Sequence, residues 1–156
     1  MKKVVIIGAN SCIGRNLIYT FKHSYEPCEI KLYDKEAYHF DSEGNYQSVD
    51  VLSPKSVEGI DFDCDVIYLL VGKTGTAKGF KEPDTFIDVN EKALLYILNE
   101  YVRQESKAKL VFPSTRLVYQ GSDNLLDENA LKNLKTIYAV NKYACENYLK
   151  IYHDIS

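Results

Sequence analysis

A short glycine turn joining an apolar run to an amphipathic stretch constrains this chain more than any other feature. Lys3–Ile7 reads as a buried strand, and Ile13–Phe21 as a helix with Ile13, Leu17, Ile18 and Phe21 on one face. Between them stands Gly8-Ala9-Asn10-Ser11-Cys12-Ile13-Gly14. A buried strand that feeds a helix through so tight a connection belongs in a sheet covered by helices. A signal peptide is the competing reading of Met1-Lys2-Lys3 and the apolar residues after it. Gly8-Ala9-Asn10 cuts that apolar run short, which favours a first strand.

The remaining sequence keeps the alternation. Glu29–Tyr33 predicts a second strand, Asp41–Tyr46 is polar and turn-like, and Gln47–Val51 predicts a short third strand. Ser53-Pro54 opens a short helix with proline in its first turn. Val66–Val71 is apolar throughout, as for a strand buried on both faces. A long helix is expected from about Asp84 to Arg103, with Phe86, Val89, Ala93, Leu94, Ile97, Leu98 and Tyr101 in register. Leu110–Pro113 predicts a fifth strand, and a last helix runs from about Thr136 onward. The expected class is α/β: a Rossmann-like doubly wound parallel sheet with helices on both faces, forming one dinucleotide-binding domain over residues 1–156. The last helix runs to Ser156 without a stop signal and no sixth strand follows, so the domain is expected to be truncated before a C-terminal substrate region.

Composition removes several classes of function. At 156 residues, 46% hydrophobic and 26% charged, the chain can bury a core of ordinary size. A net charge of -3 gives no general attraction to a phosphate backbone, so no nucleic-acid partner is expected. The longest apolar runs are far too short to span a membrane, so no membrane partner is expected either. Cys12, Cys28, Cys64 and Cys145 lie far apart with no C-x-x-C pair. They read as reduced packing residues of a cytoplasmic protein, with neither a disulfide framework nor a metal site.

The glycine turn sits where the free N–H groups and positive end of a helix would meet a dinucleotide pyrophosphate. Its candidate cofactor-binding residues are Gly8, Asn10, Ser11, Ile13 and Gly14. Ser11 stands where the G-x-x-G-x-x-G form has its middle glycine, which either restricts the backbone or crowds a phosphate. Asp34 ends the second strand 20 residues after Gly14, the spacing of the acid that accepts the ribose hydroxyls of NAD and repels a 2′-phosphate. NAD is therefore favoured over NADP, although Lys35 and Arg15 keep NADP open. Asp50 and Val51, and Leu70 and Val71 at the end of the fourth run, complete this set. For Asp50, an adenine acceptor and a solvated turn aspartate weigh equally. Gly72-Lys73-Thr74 imitates the end of a P-loop, but Ile67 occupies the place of the required first glycine. Gly72–Gly79 is expected to be a mobile loop, with Lys73 either a phosphate contact or a surface charge.

Tyr138 and Lys142 lie four apart on one face of the last helix. A free phenol has a pKa near ~10, and a neighbouring cation favours its ionisation. Among 13 tyrosines such a pair also arises by chance. Here, however, Leu110–Thr115 delivers two hydroxyls, Ser114 and Thr115, at a strand end, and Val118-Tyr119-Gln120-Gly121 follows.

In order, the glycine loop, the acid after strand two, Asn90 on the long helix, the Ser/Thr strand end with Val118-Tyr119 and then Y-x-x-x-K resemble the extended short-chain dehydrogenases over nearly the whole chain. The resemblance implies that Tyr138 is the catalytic acid/base and that Lys142 holds the nicotinamide ribose and lowers the Tyr138 pKa. It implies that Thr115, with Ser114 as the fallback, bonds the reacting sugar oxygen, and that Asn90 lies near the cofactor. For Asn90, packing at a helix kink weighs as much. Two departures stand out: Ser11 for the glycine, and Gln120 within V-Y-G. Members that dehydrate sugars carry acids where Arg116 and Leu117 stand here, so the implied reaction is NAD-dependent epimerisation, or ketosugar reduction, of a nucleotide-linked sugar. A homodimer through the two long helices is implied as well; Tyr143, Tyr148 and Tyr152 would suit either such an interface or the cover of the absent C-terminal region. The alternative is a dinucleotide-binding sensing or interaction module without catalysis. This piece alone is expected to bind cofactor poorly and not to turn over.

Overall fold

The computed structural model describes residues 1–24, 26–38, 45–123 and 125–155. Its strands are β1 (Lys2–Ile7), β2 (Cys28–Asp34), β3 (Asn45–Ser48), β4 (Val66–Leu69) and β5 (Lys109–Val111). Its helices are α1 (Cys12–Lys22), α2 (Pro54–Val57), α3 (Thr76–Lys81), α4 (Pro83–Ile87), α5 (Ala93–Arg103) and α6 (Ile137–Ile155). A π-helical turn, Asp88–Lys92, separates α4 from α5, and a single 3₁₀ turn covers Arg116–Val118. The chain divides into two compact units, Met1–Val71 with Tyr96–Pro113, and Gly72–Leu95 with Ser114–Ser156.

The first unit holds the whole sheet, parallel throughout in the order β3-β2-β1-β4-β5. Strand order reverses at β1, and the carboxyl ends of β1 and β4 flank the resulting switch point, where open α/β sheets bind ligands. Ile7 pairs with Tyr33 on one side and Leu69 on the other, so three strands finish level. β1 is buried from Val4 to Ile7, as a strand with cover on both faces must be. Val4, Ile6 and Leu32 form a cluster with Ile18 of α1, against which Leu17 and Phe21 pack. Ile13, expected on that face, is 58% exposed. It stands in the first turn of α1, where Gly14 and not a side chain makes the close approach to the strand-end backbone.

Several boundaries shift for reasons of pairing. β3 covers Asn45–Ser48 and not Gln47–Val51, because its register with β2 ends at Asp34–Ser48. β4 stops at Leu69, although the Leu70 N–H still donates to the Ile7 carbonyl at 2.7 Å. Asp41–Tyr46 lies outside the described residues except for Asn45 and Tyr46, which open β3. In the second unit, Gly72–Gly79 is not a loop throughout, since α3 begins at Thr76 after Gly75 turns the chain at φ +116°. The long helix opens at Pro83, a residue whose missing N–H costs nothing in a first turn, and it is interrupted by the π turn.

Gly8 has φ +95°, and a Cβ there would meet the Leu70 carbonyl carbon at 2.8 Å and the Val71 nitrogen at 2.9 Å. A Cβ on Gly14 would lie 2.6 Å from the Gly8 oxygen and 2.7 Å from the Ala9 oxygen. Both obstacles are backbone and cannot step aside. Ser11, by contrast, has φ −66° and ψ 162°, which any residue adopts, and its hydroxyl caps α1 by accepting the Gly14 N–H at 3.0 Å. Gly14→Ala should therefore cost about 1–3 kcal/mol in urea unfolding at unchanged m, as overpacking does. Ser11→Gly, which keeps an acceptable cap, should cost only a few tenths of a kcal/mol, and Ser11→Ala about 1 kcal/mol.

Candidate active site

In the first unit the candidate cofactor residues gather at the carboxyl ends of β1, β2 and β4. Gly8 and Ala9 both donate their N–H to the Tyr33 carbonyl, at 2.8 and 3.1 Å, which fastens the turn to the end of β2. Asp34, the last residue of β2, then organises the turn directly. Its Oδ2 accepts the Asn10 N–H at 2.8 Å, and its Oδ1 accepts the Lys35 N–H at 2.8 Å. A carboxylate oxygen offers two lone pairs, so each retains capacity for a ribose hydroxyl. Arg15 Nε donates to the Asn10 carbonyl at 2.9 Å, so the guanidinium expected to keep NADP open also braces the loop.

These residues fit a dinucleotide. Of the helix-end N–H groups, Ser11 donates to the Gly8 carbonyl and Gly14 to the Ser11 hydroxyl, while those of Cys12 and Ile13 precede the first intrahelical bond of α1. They are the donors an anion would meet there. Leu70 and Val71 lie against Gly8, as their place in the set requires. Asp50 is a turn aspartate here: its Oδ1 accepts the Leu52 N–H at 2.9 Å, its N–H donates to Ser56 Oγ at 3.0 Å, and Val51 is buried beside it.

In the second unit, α6 begins at Ile137 because Thr136 caps it, the Thr136 hydroxyl accepting the Ala139 N–H at 3.0 Å. The first turns of α6 carry Tyr138, half-buried, and Lys142, 5% exposed. Burial pushes the Lys142 ammonium below its ordinary pKa, a shift that the buried Cys145 thiol partly opposes. Burial also pushes the Tyr138 phenol above its ordinary value. The expected lowering of Tyr138 by Lys142 is thus not what sets the phenol in this structure, because desolvation dominates.

Thr115 and Ser114 separate clearly. The Ser114 hydroxyl donates to Glu146 of α6. Thr115 Oγ1 accepts the Leu117 N–H at 3.3 Å and so caps the 3₁₀ turn. A hydroxyl that only accepts within the protein still has its proton to give. Asn90 is 4% exposed within the π turn, where its side chain clamps the backbone of one residue: its Oδ1 accepts the Lys73 N–H at 2.7 Å and its Nδ2 donates to the Lys73 carbonyl at 3.2 Å. A methyl on Gly72 would stand 3.2 Å from Asn90 Oδ1 and 3.8 Å from Lys142 Nζ, so both side chains approach the backbone there. The Lys73 ammonium itself is paired with Glu82 at 2.9 Å.

Sequence reasoning passed over the polar groups that surround this pair. Asn141 donates to Glu91, Tyr148 donates its hydroxyl to Glu91 at 3.1 Å, and the Cys145 thiol donates to the Asn90 carbonyl at 3.1 Å. Within the chain, Tyr148 meets Glu91, and the Tyr143 ring centroid lies 5.9 Å from the Lys132 ammonium. The available signal was spacing: Asn141, Cys145 and Tyr148 fall at helical intervals on α6. Among the described residues no group of acidic, His and Cys side chains could hold a metal ion, and no helix is long and apolar enough to cross a membrane.

Residues 4–155 match the NAD dependent epimerase/dehydratase family. Three solved structures superpose on nearly the whole chain. UDP-glucose 4-epimerase from Brucella ovis, in complex with NAD, is 14% identical with a TM-score of 0.86, covering 97% of this chain and 48% of its own. UDP-glucose 4-epimerase from Thermus thermophilus, also with NAD, is 19% identical with a TM-score of 0.84, covering 97% and 51%. UDP-N-acetylglucosamine 4-epimerase from Methanobrevibacter ruminantium, in complex with UDP-N-acetylmuramic acid, is 23% identical with a TM-score of 0.82, covering 98% and 51%. This chain therefore spans about half the length of these structures. A sequence search of curated proteins finds no match.

Burying an ammonium carries a desolvation cost that its interactions must offset. Below its lowered folded-state pKa, Lys142 is charged in both the folded and unfolded chain, and desolvation of the ammonium opposes folding. As pH rises from there toward the unfolded value, the folded form releases its proton first and that cost fades. The difference in Tm between Lys142→Met and the parent should therefore move in the parent's favour as the pH of the melt rises from neutral toward 10.5. A difference that stays constant with pH would count against this account.

Proposed function

This chain belongs to the NAD dependent epimerase/dehydratase family, and from that premise we propose that it serves NAD-dependent epimerisation, or the related ketosugar reduction, of a nucleotide-linked sugar. The observation that carries this reading is Lys142, an ammonium 5% exposed and one helical turn beyond the half-buried phenol of Tyr138. The pair puts a phenol and an ammonium on one face of α6, the combination that a proton-transfer site requires. Gly8, Ser11, Ile13 and Gly14 would hold the pyrophosphate, and Asp34 the adenosine ribose. Asp50, by its geometry a turn residue, is a weaker candidate. Bound NAD supplies a reversible hydride acceptor next to the sugar.

Within that frame each residue has a task. Tyr138 takes the proton from a sugar hydroxyl and returns it. Taking the proton requires the phenolate; desolvation raises the phenol pKa above its ordinary value, and Lys142 is a cation of the sign that favours ionisation. Thr115 donates its hydroxyl proton to the reacting sugar oxygen, whereas Ser114 has already given its own to Glu146. Arg116 and Leu117 supply no acid for an elimination, which favours epimerisation or reduction over dehydration. The structural neighbours named as UDP-sugar epimerases make UDP-glucose and UDP-N-acetylglucosamine the first substrates to try.

Calorimetric titration of the chain with NAD and NADP, and turnover of those sugars by the protein that carries it, test the proposal together. Tyr138→Phe should lower turnover about 10²–10⁴-fold, the worth of a positioned acid/base, while leaving NAD affinity nearly unchanged. Unchanged turnover sinks the assignment. NAD binding with no hydride transfer from any labelled sugar nucleotide would favour the non-catalytic sensing module instead.

A further inference from the structure

We propose that the Ser11 hydroxyl is itself a ligand of the cofactor pyrophosphate, so that the residue departing from the glycine pattern adds a donor to the loop; this rests on the dinucleotide reading above. Every other polar function of Ser11 is committed within the protein. Its N–H donates to the Gly8 carbonyl at 3.1 Å, and its carbonyl accepts the Arg15 N–H at 2.9 Å, which opens the ladder of α1. Its Oγ accepts the Gly14 N–H at 3.0 Å. A hydroxyl has one proton besides its lone pairs. Among the described residues no acceptor takes that proton. The backbone is held on both sides and the oxygen is held by Gly14, so only the O–H bond is left to turn.

The surroundings of that proton suit a phosphate. Cys12 and Ile13, whose N–H groups precede the first intrahelical bond, follow directly in the chain and both are exposed. No acidic side chain stands in the first turn of α1 to oppose an anion. A glycine at this place serves by omitting its Cβ, which lets the backbone approach the pyrophosphate. The serine backbone, at φ −66° and ψ 162°, is under no strain, and its side chain changes which donors the loop presents. By accepting the Gly14 N–H, the hydroxyl withdraws one donor from the helix end. In its place it offers an O–H that turns toward whichever phosphate oxygen is nearest. The set facing the anion becomes the N–H groups of Cys12 and Ile13 with the hydroxyl of Ser11, and a hydrogen bond to an ionised phosphate is charge-assisted.

A series at position 11 tests this: the parent, Ser11→Thr, Ser11→Ala and Ser11→Gly, each titrated with NAD by calorimetry below its Tm, in the chain and in the protein that carries it. Ser11→Thr keeps both the cap and the O–H and should bind within about two-fold of the parent. Ser11→Ala and Ser11→Gly should both bind about five-fold more weakly. That is less than a whole charge-assisted bond is worth, because either change frees the Gly14 N–H to serve the phosphate. Tm should follow a different order, Ser11→Gly near the parent and Ser11→Ala below it, since the cap alone decides it. Tightest binding by Ser11→Gly and weakest by Ser11→Thr means that the side chain crowds the phosphate, and overturns the proposal. Loss confined to Ser11→Gly reports a looser backbone, and loss confined to Ser11→Ala reports the missing cap; either overturns it, as does equal binding throughout. NAD bound by Ser11→Gly but not by the parent overturns the role of the hydroxyl and leaves the reading of the site intact. NAD bound by no member of the series, in the chain or in the protein that carries it, overturns that reading and the hydroxyl's role with it.

Discussion

The carbonyl oxygens of Gly8 and Ala9 lie so near the α1 backbone that a single carbon added at Gly14 would meet them at 2.6 and 2.7 Å, and the cofactor end of the sheet depends on that contact. It holds the start of α1 against the end of β1, so that the helix-end N–H groups stand at the strand-order switch point. Asp34 then acts on the same turn from the neighbouring strand, accepting Asn10. The acid proposed to read a ribose is thus also bonded to the glycine turn itself. Replacing it would disturb both together, so a loss of affinity at Asp34 would not by itself report on the ribose contact.

A different balance governs the helical unit. Asn90, Asn141 and Lys142 are all buried there, and buried polar groups stay stable only when their hydrogen bonds are made. The π turn helps to make this possible. A wider turn frees backbone carbonyls from the α-helical ladder, and the carbonyl of Asn90 accepts a thiol hydrogen from Cys145. That thiol stays protonated under all ordinary conditions, since burial pushes its pKa up to about 12. Cys145 is accordingly a reliable donor and a poor nucleophile. The interruption between α4 and α5 is a packing solution built around Asn90, consistent with the concentration of such turns near functional residues.

The sheet was legible in the sequence because its strands are short apolar runs bounded by turns, and pairing trimmed only their ends. Asp34 and the two glycines were legible because spacing from a strand end translates directly into position at the sheet edge. Ile13 misled, since its place in the periodic pattern did not reveal that Gly14 makes the close contact and leaves the first turn open. Helix α3 was hidden by Gly75 and Gly79, which read as loop residues although one only turns the chain before the helix and the other is buried within it. The π turn could not be read at all, because an apolar repeat shows where side chains fall but not that one backbone turn is wider. Nor could the partners of Glu91, since two of its donors lie 50 and 57 residues away in sequence.

The Ser/Thr strand end shows how local backbone geometry can divide roles between adjacent residues of nearly the same chemistry. Each hydroxyl has one proton and two lone pairs. Ser114 commits its proton to Glu146, a bond that ties the strand end to α6. Thr115 commits a lone pair to the Leu117 N–H because the chain turns sharply after it, with Thr115 extended at φ −144° before the 3₁₀ turn. One hydroxyl is therefore fixed as a structural donor. The other is held in orientation by a bond that leaves its proton for an outside acceptor. Arg116 and Leu117 belong to the same turn, and Leu117 supplies the N–H that orients Thr115. The Leu117 contribution is made by the backbone, so it is the turn and not the leucine side chain that orients Thr115, while neither Arg116 nor Leu117 carries an acid.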